Sequence, residues 1–155
     1  MKKPAGNGRW EVISVMEIRP FQDADEEAVI ALWEGCGLLR PWNDPHKDIA
    51  RKLLLQRELF LVGVEGGAIV GTVMAGYDGH RGWINYLAVD PGRRRKGFGR
   101  ALVEQAEHRL GGLGCPKVNL QVRRENREAM AFYECIGFRE DAVASFGKRL
   151  EQDDE

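Results

Sequence analysis

The sequence has few cysteines and no long apolar run, and each scarcity excludes a class of protein. Cys36, Cys115 and Cys135 form neither a CxxC pair nor a Cys/His cluster, so neither a disulfide framework nor a metal site is predicted. No apolar segment approaches the roughly 20 residues of a membrane-spanning helix. The N-terminal lysines are not followed by an apolar stretch of signal-peptide length, so a cytoplasmic location is expected.

Net charge is also nearly absent, because 23 basic residues face 24 acidic ones. This balance argues against general affinity for nucleic acid or for a membrane surface. Glycine, in contrast, is abundant: 19 of 155 residues, or about 12% against a usual ~7%. There is no G-X-Y repeat and 43% of residues are hydrophobic, so collagen-like and disordered chains are excluded. The glycines are therefore expected at turns, at bulges, or where the backbone meets a ligand.

The order of polar and apolar residues predicts one domain of mixed α/β (α+β) class. Residues 1–15 are predicted to be a disordered or tag-like extension, residues 16–150 the domain, and residues 151–155 a solvated acidic tail. Within the domain the predicted order is β-α-α-β-β-β-α-β-α-β-β. The last two strands are expected over 138–143 and 145–150, and their exposed edges leave a homodimer open as an assembly.

A basic, glycine-containing loop connects a predicted strand over 83–89 to a helix that begins near Phe98. Its pattern is Arg94-x-x-Gly97-x-Gly99. Unpaired amides and the positive dipole end of a helix start favour an anion, and glycine lets a phosphate approach the backbone. The alternative is a solvated loop with two turn glycines. The positive charges around it come from Arg93, Arg94, Arg95, Lys96 and Arg100.

A second motif, Asn126-x-x-Ala129-x-x-x-Tyr133-x-x-x-Gly137-Phe138, predicts a helix that Asn126 caps and whose inner face carries Tyr133. The segments VDPGRRRKGFGRALV (89–103) and ENREAMAFYECIGF (125–138) together resemble the GNAT family of N-acetyltransferases. This resemblance covers roughly residues 16–150. LLRPWNDP and GYDGHRG further resemble a bacterial subgroup called YpeA-like.

The resemblance implies a GNAT-like fold around a mostly antiparallel sheet. It also implies acetyl-CoA as co-substrate, without a metal, and a primary amine of a small molecule or peptide that attacks directly in a ternary complex. The alternative is a non-catalytic acyl-CoA-binding or sensing module of the same fold. By position, the residues implied to hold the pyrophosphate are Arg94, Arg95, Lys96, Gly97, Phe98, Gly99 and Arg100. The backbone of Leu87, Ala88 and Val89 would pair with the pantetheine arm and polarise the thioester carbonyl, and Asn126 would help to fix the cofactor.

Tyr133 is implied to be the general acid. A phenol with a pKa near 10 that faces a thiol with a pKa near 8.5 can protonate the departing thiolate. The alternative is a core tyrosine whose hydroxyl bonds to the backbone. The general base stays open: some relatives have a glutamate where Gln121 stands here, and Asp78, His80, a water molecule or an already neutral amine are the options. Trp42 could line the acceptor pocket or anchor its loop, and the acceptor itself is not identified.

Overall fold

The computed structural model describes residues 15–153, and in that part of the chain five strands and four α-helices form one layered α/β unit. The extension predicted over residues 1–15 lies, apart from Val15, outside the described residues. The strands are β1 (Glu17–Pro20), β2 (Phe60–Glu65), β3 (Ala68–Tyr77), β4 (Gly82–Val89) and β5 (Val118–Asn119). The helices are α1 (Glu26–Gly35), α2 (Pro45–Leu53), α3 (Phe98–Gly112) and α4 (Arg127–Cys135).

The strands lie in the order β1-β2-β3-β4-β5, and all neighbours are antiparallel except β4 and β5. The predicted mixed fold with a mostly antiparallel sheet is confirmed. Gly66 and Gly67 form the two-residue turn between β2 and β3, both with positive φ, as such turns require. The parallel pair is very short, because only Gly82 with Val118 and Trp83 with Asn119 are in register.

Each face of the sheet carries its own hydrophobic cluster. Phe98, Leu102, Ala106 and Leu110, which recur every four residues in the sequence, form the buried face of α3. On the opposite face α1 buries Val29, Leu32 and Trp33. Half-buried side chains of α4 pack on the α3 side. Among the described residues, no helix combines the length and the apolar character needed to cross a bilayer.

The two strands predicted over 138–143 and 145–150 are not formed in the structure. Phe138 packs on Tyr133, but the apolar residues after it are not covered: Val143, Phe146 and Leu150 are 77%, 95% and 93% exposed. The expected partner strand is also shorter than its alternating sequence suggests, since β5 has only two residues. The segment is attached instead by side chains, including a Lys117–Asp141 ion pair of 2.7 Å. The edge-strand argument for a homodimer therefore loses its basis.

The acidic tail is not fully solvated, because Asp153 is only 6% exposed. Its carboxylate lies 2.6 Å from the Arg51 guanidinium and accepts the Asp44 backbone amide at 3.0 Å. Lys47 donates to its backbone carbonyl at 2.7 Å. The expectation of a solvated tail is wrong for this residue because the Asp44 amide just before α2 and the Lys47 and Arg51 side chains on α2 all bind it.

A β-bulge interrupts the pairing of β3 with β4. The register shifts between the pairs Thr72–Ala88 and Met74–Asn85, so Tyr86 and Leu87 both lie opposite Val73. Tyr86 has a φ of +49°, which is strained for a bulky residue. Alternation and propensity cannot reveal this feature, since no glycine or proline marks it.

One buried hydroxyl holds the bulge in place. Thr72 donates to the Tyr86 carbonyl at 2.8 Å and accepts the Trp33 indole N–H at 2.9 Å. The Tyr86 ring stacks on Trp33 with centroids 3.9 Å apart. Since Thr72 and Trp33 are fully buried, neither indole nor carbonyl has water as a substitute partner there.

Thr72→Val should lower the free energy of unfolding by about 2–3 kcal/mol, because it leaves a buried donor and an anchored carbonyl without their partner. Thr72→Ser is the matched control. It keeps the hydroxyl and should cost only about 1 kcal/mol for the lost methyl group. Urea unfolding at neutral pH measures both. Equal losses for the two variants would contradict a role for the hydroxyl.

Asp153→Asn should destabilise the protein in a pH-dependent way. The Arg51 guanidinium lowers the pKa of the Asp153 carboxyl to about 2. Its stabilisation is therefore complete above the ordinary carboxyl pKa of about 4 and is lost as the pH falls towards the depressed value. The difference in thermal midpoint between wild type and variant should be largest above about pH 4 and should shrink as the pH falls from there.

The matched control is Asp23→Asn. The Asp23 carboxylate is 84% exposed and pairs with Arg57 at 3.3 Å, so its variant should stay close to wild type throughout. A gap for Asp153→Asn that does not change with pH would contradict the ion pair.

Candidate active site

The divergence of β4 from β5 opens a cavity of about 1000 Å³. After Trp83 and Asn119 the two strands no longer pair, and the segment 120–123 borders the gap. Helix α2 covers one side of the cavity and α4 contributes the other. Chemically relevant lining residues include Asp48, Arg51, Lys52, Asp78, Tyr86, Leu87, Gln121, Arg123, Asn126 and Tyr133.

Along the free edge of β4, the backbone N–H and C=O groups of every second residue face this gap. Asp90 donates to the Val70 carbonyl at 2.8 Å, and the register pairs Thr72 with Ala88. Because bonded and non-bonded pairs alternate in an antiparallel ladder, the amide and carbonyl of Ala88 face β3. Those of Leu87 and Val89 face away from β3. Of the three residues predicted to pair with a ligand through their backbone, Leu87 and Val89 turn their amides away from β3. The Val89 carbonyl already accepts the Cys36 thiol at 3.3 Å.

The basic loop leads into an uncapped helix start. Gly97 takes the N-cap position of α3 with a φ of +78° and offers no side-chain cap. The first intrahelical bond runs from the Ala101 amide to the Gly97 carbonyl at 3.0 Å. The amides of Phe98, Gly99 and Arg100 therefore have no acceptor within the helix, which is the arrangement that suits an anion.

The cations of the loop are not equivalent. Arg93 is held by Glu65 at 2.8 Å and by Asp90 at 3.0 Å, so it ties the loop to β2. Arg100 pairs with Glu104 one turn further along α3, at 2.8 Å. The remaining three predicted cations, Arg94, Arg95 and Lys96, are exposed.

Glycine is required at Gly97 and at Gly99 for different reasons. At Gly97 a Cβ would meet nothing within 4 Å, but the positive φ favours glycine. At Gly99 the φ is ordinary, and a Cβ would lie 3.3 Å from the Phe132 ring and 3.6 Å from Val89. Gly97 thus shapes the helix start, whereas Gly99 allows α3 to pack closely against α4 and β4.

Tyr133 lies on the inner face of α4, between two aromatic neighbours. Phe132 and Phe138 meet its ring edge-on, with centroids at 5.1 and 5.6 Å. Burial raises the pKa of the Tyr133 hydroxyl to about 12, so the phenol is protonated at neutral pH. Asn126 caps the same helix as predicted, accepting the Ala129 amide at 3.1 Å, and it also lines the cavity.

Of the residues suggested as a general base or near it, some line the cavity and others do not. The Asp78 carboxylate accepts the His80 and Arg81 amides, both at 2.7 Å, and these bonds lower its pKa. It lines the cavity, while His80 is exposed and lies outside the lining. The Gln121 amide donates to Ser145. Trp42 also lies outside the lining, under the Arg123 guanidinium at 5.6 Å.

Two cavity residues were given no site role from the sequence: Asp48, and Tyr86, which stayed open between core and site. The Tyr86 hydroxyl donates to the Asp48 carboxylate at 2.5 Å, joining β4 to α2 across the cavity wall. The apolar stripe of α2 could predict the helix, and Ile49 is indeed buried. It could not show that a carboxylate on its polar side meets a tyrosine on a strand 38 residues away.

Comparison with known proteins identifies the family of this chain. A family model described as the acetyltransferase (GNAT) family matches residues 17–138. An acetyltransferase of Yersinia enterocolitica is 52% identical over 140 residues, which cover 90% of this chain and 99% of that relative. An acetyltransferase of Sodalis glossinidius is 50% identical over 141 residues, with the same two shares.

Solved structures show the same fold. An aminoglycoside N-acetyltransferase, AAC(6')-Iy, in complex with CoA, superposes with a TM-score of 0.74 at 18% identity, covering 92% of this chain and 99% of its own. The ribosomal-protein-S18-alanine N-acetyltransferase of Escherichia coli gives 0.69 at 26% identity, over 83% and 80%. With a family match over most of its length and bacterial acetyltransferases at about half identity, this chain belongs to the GNAT family and is an N-acetyltransferase.

Proposed function

We propose that the protein transfers the acetyl group of acetyl-CoA to a primary amine by direct attack within a ternary complex. One observation carries this proposal: the free edge of β4 and Tyr133 border one cavity, and β4 leads directly into the basic loop and the uncapped start of α3. A helix start can hold a pyrophosphate, and a strand edge can hold an extended amide chain. The cavity beyond them has room for an acceptor.

The residues present fit a CoA molecule. The first three amides of α3 have no acceptor in the helix, and Gly97 leaves space where a Cβ would stand. Arg94, Arg95 and Lys96 add exposed positive charge, while Arg93 and Arg100 are engaged with carboxylates. Acetyl-CoA, as a substrate, supplies an acetyl group already activated as a thioester.

The open amides of β4 support polarisation of the thioester carbonyl. Negative charge grows on the carbonyl oxygen as an amine attacks, and a pre-positioned backbone N–H stabilises it. Leu87 lies directly after the bulge, with its N–H on the side that faces the cavity rather than β3. The Thr72 hydroxyl that fixes the bulge therefore also fixes the direction of this donor.

Tyr133 can protonate the leaving sulfur. A phenol with a pKa of about 12 would give a proton to a solvated thiolate only uphill, since a free thiol has a pKa near 8.5. A thiolate that forms beside Tyr133 is desolvated by the same surroundings, which raise the pKa of its thiol as well. The pKa of the thiol then moves towards that of the Tyr133 hydroxyl, so the proton can be transferred as the C–S bond breaks.

Tyr133→Phe should reduce kcat by about 10²–10³-fold, because it removes the acid without changing the ring. Acetyl-CoA affinity and the thermal midpoint should stay close to wild type. Thiol release across a panel of primary amines measures turnover, and calorimetry measures affinity. An unchanged kcat would contradict the acid role. Tight acetyl-CoA binding by a wild type that acetylates no amine would contradict the proposed transfer and favour a non-catalytic binding module.

Arg95→Gln and Lys96→Gln should each weaken acetyl-CoA binding about threefold to tenfold, the loss of one partly solvated charge-assisted contact. Arg57→Gln is the matched control, since Arg57 is an exposed cation that lies outside the basic loop and pairs with Asp23. Its acetyl-CoA affinity should equal that of wild type. Equal affinities for all three variants would contradict the assignment of the loop.

A further inference from the structure

The cavity contains a titratable pair that neither the family motifs nor the steps above use. The Tyr86 hydroxyl donates to one oxygen of Asp48 at 2.5 Å, a short bond of the kind formed to an ionised carboxylate. Both side chains line the acceptor side of the cavity, and the Asp48 side chain is 23% exposed. The pair is thus within reach of a molecule in the cavity but largely shielded from bulk water.

The tyrosine of this pair cannot swing away from the cavity. Its ring stacks on the fully buried Trp33, 3.9 Å apart and inclined by 14°. Its carbonyl is bound by Thr72, and its φ of +49° turns the residue out of the ordinary strand alternation. The bulge therefore places the Tyr86 hydroxyl and the free N–H of Leu87, the next residue, along one wall.

The cations near Asp48 are held mainly by other groups. Arg51 approaches the other Asp48 oxygen at 3.4 Å, but its stronger contact is with Asp153 at 2.6 Å. Lys52, from the same helix, donates to the Ala75 carbonyl. Burial raises the pKa of the Tyr86 hydroxyl, the Asp48 carboxylate raises it further, and the negative charge of Asp153 behind Arg51 adds to the effect.

The other candidate bases have less suitable surroundings. The Asp78 carboxylate is occupied by two backbone amides of its own turn, and His80 is exposed outside the cavity lining. Gln121 carries an amide, which cannot accept a proton at neutral pH. Among the described residues that line the cavity, Asp48 and Asp78 are the two with carboxylates.

We propose that Tyr86 and Asp48 accept the proton that the acceptor amine loses during acetyl transfer. This inference rests on the proposed function and completes it. The neutral amine nitrogen bonds to the thioester carbonyl carbon and becomes positively charged. The Tyr86 oxygen then takes one N–H proton while its own proton passes to Asp48, the C–S bond breaks, and Tyr133 protonates the sulfur. Afterwards Asp48 releases its proton to solvent, and Tyr133 regains one.

In this scheme Tyr86 is the catalytic residue, because it touches the amine, and Asp48 is a positioning residue that acts through it. The raised pKa of Tyr86 supports this division. A phenol that resists ionisation stays neutral between turnovers, so it relays a proton rather than storing a negative charge. The negative charge of the Asp48 carboxylate favours transfer of the Tyr86 hydroxyl proton to it while the Tyr86 oxygen takes the proton of the amine.

The test compares Tyr86→Phe, Asp48→Ala and the double variant with wild type. The probe is acetyl-CoA together with the best primary amine from a panel of a polyamine, free amino acids and short peptides. Each single variant should lose about 10²-fold in kcat with unchanged acetyl-CoA affinity. The double variant should be no slower than Tyr86→Phe alone, since the two residues act as one unit.

Added formate provides a readout that a purely structural role would not change. It should restore Asp48→Ala by at least about tenfold by replacing the missing carboxylate, and it should leave wild type and the double variant unchanged. The control is Asp23→Ala, an exposed carboxylate outside the cavity, with wild-type kcat. Thermal midpoints show whether the variants are folded. Of the two single variants, Tyr86→Phe is expected to disturb folding less, because it keeps the ring that stacks on Trp33.

Three results would overturn this pair while leaving the proposed function intact: wild-type kcat in Asp48→Ala, losses that multiply in the double variant, or no recovery with formate. A wild type that binds acetyl-CoA but acetylates no amine would overturn the proposed function, and this pair with it. Slow single variants, a non-additive double variant and formate recovery together support the pair.

Discussion

The Thr72 hydroxyl, held between the Trp33 indole and the Tyr86 carbonyl, is the interaction on which the active-site wall depends. It binds the carbonyl of a residue whose positive φ would otherwise be unfavourable. That residue shifts the register of β4 against β3. The shift decides which backbone groups beyond it face the sheet and which face the cavity, and it directs the Tyr86 phenol to Asp48. One buried side chain thus determines the orientation of both backbone and side-chain donors.

The second constraint is how briefly β4 and β5 pair. Two residues in register hold the strands together at one end, and beyond them the strands diverge. The cavity therefore forms between main-chain segments, with its floor on the sheet and its walls on α2 and α4. Because the walls come from helices on different faces of the sheet, the proposed donor and acceptor sites adjoin within one domain.

Local patterns in the sequence predicted a large part of this. The apolar stripe of α3, the Gly66–Gly67 turn, the Asn126 cap and the uncapped helix start after Gly97 all follow from spacing and residue type. Features that depend on distant contacts were not predicted. The meeting of Tyr86 with Asp48 joins residues 38 positions apart, and Asp153 reaches Arg51 over 102. The alternation near residues 138–150 suggested strands, but only Phe138 packs on the core, and Val143, Phe146 and Leu150 are left exposed.

The unpaired stretch of β4 has a further consequence for how the protein behaves among other copies of itself. A free strand edge is a template for pairing with another chain, and many proteins blunt such edges with charge, proline or a bulge. Here the edge beyond Trp83 carries a bulge and lies inside a cleft bordered by residues 120–123 and by α4. A narrow extended molecule can enter this cleft, whereas a whole folded neighbour cannot bring a strand into register with it. The cleft therefore shields this stretch of β4 from pairing with a strand of another chain.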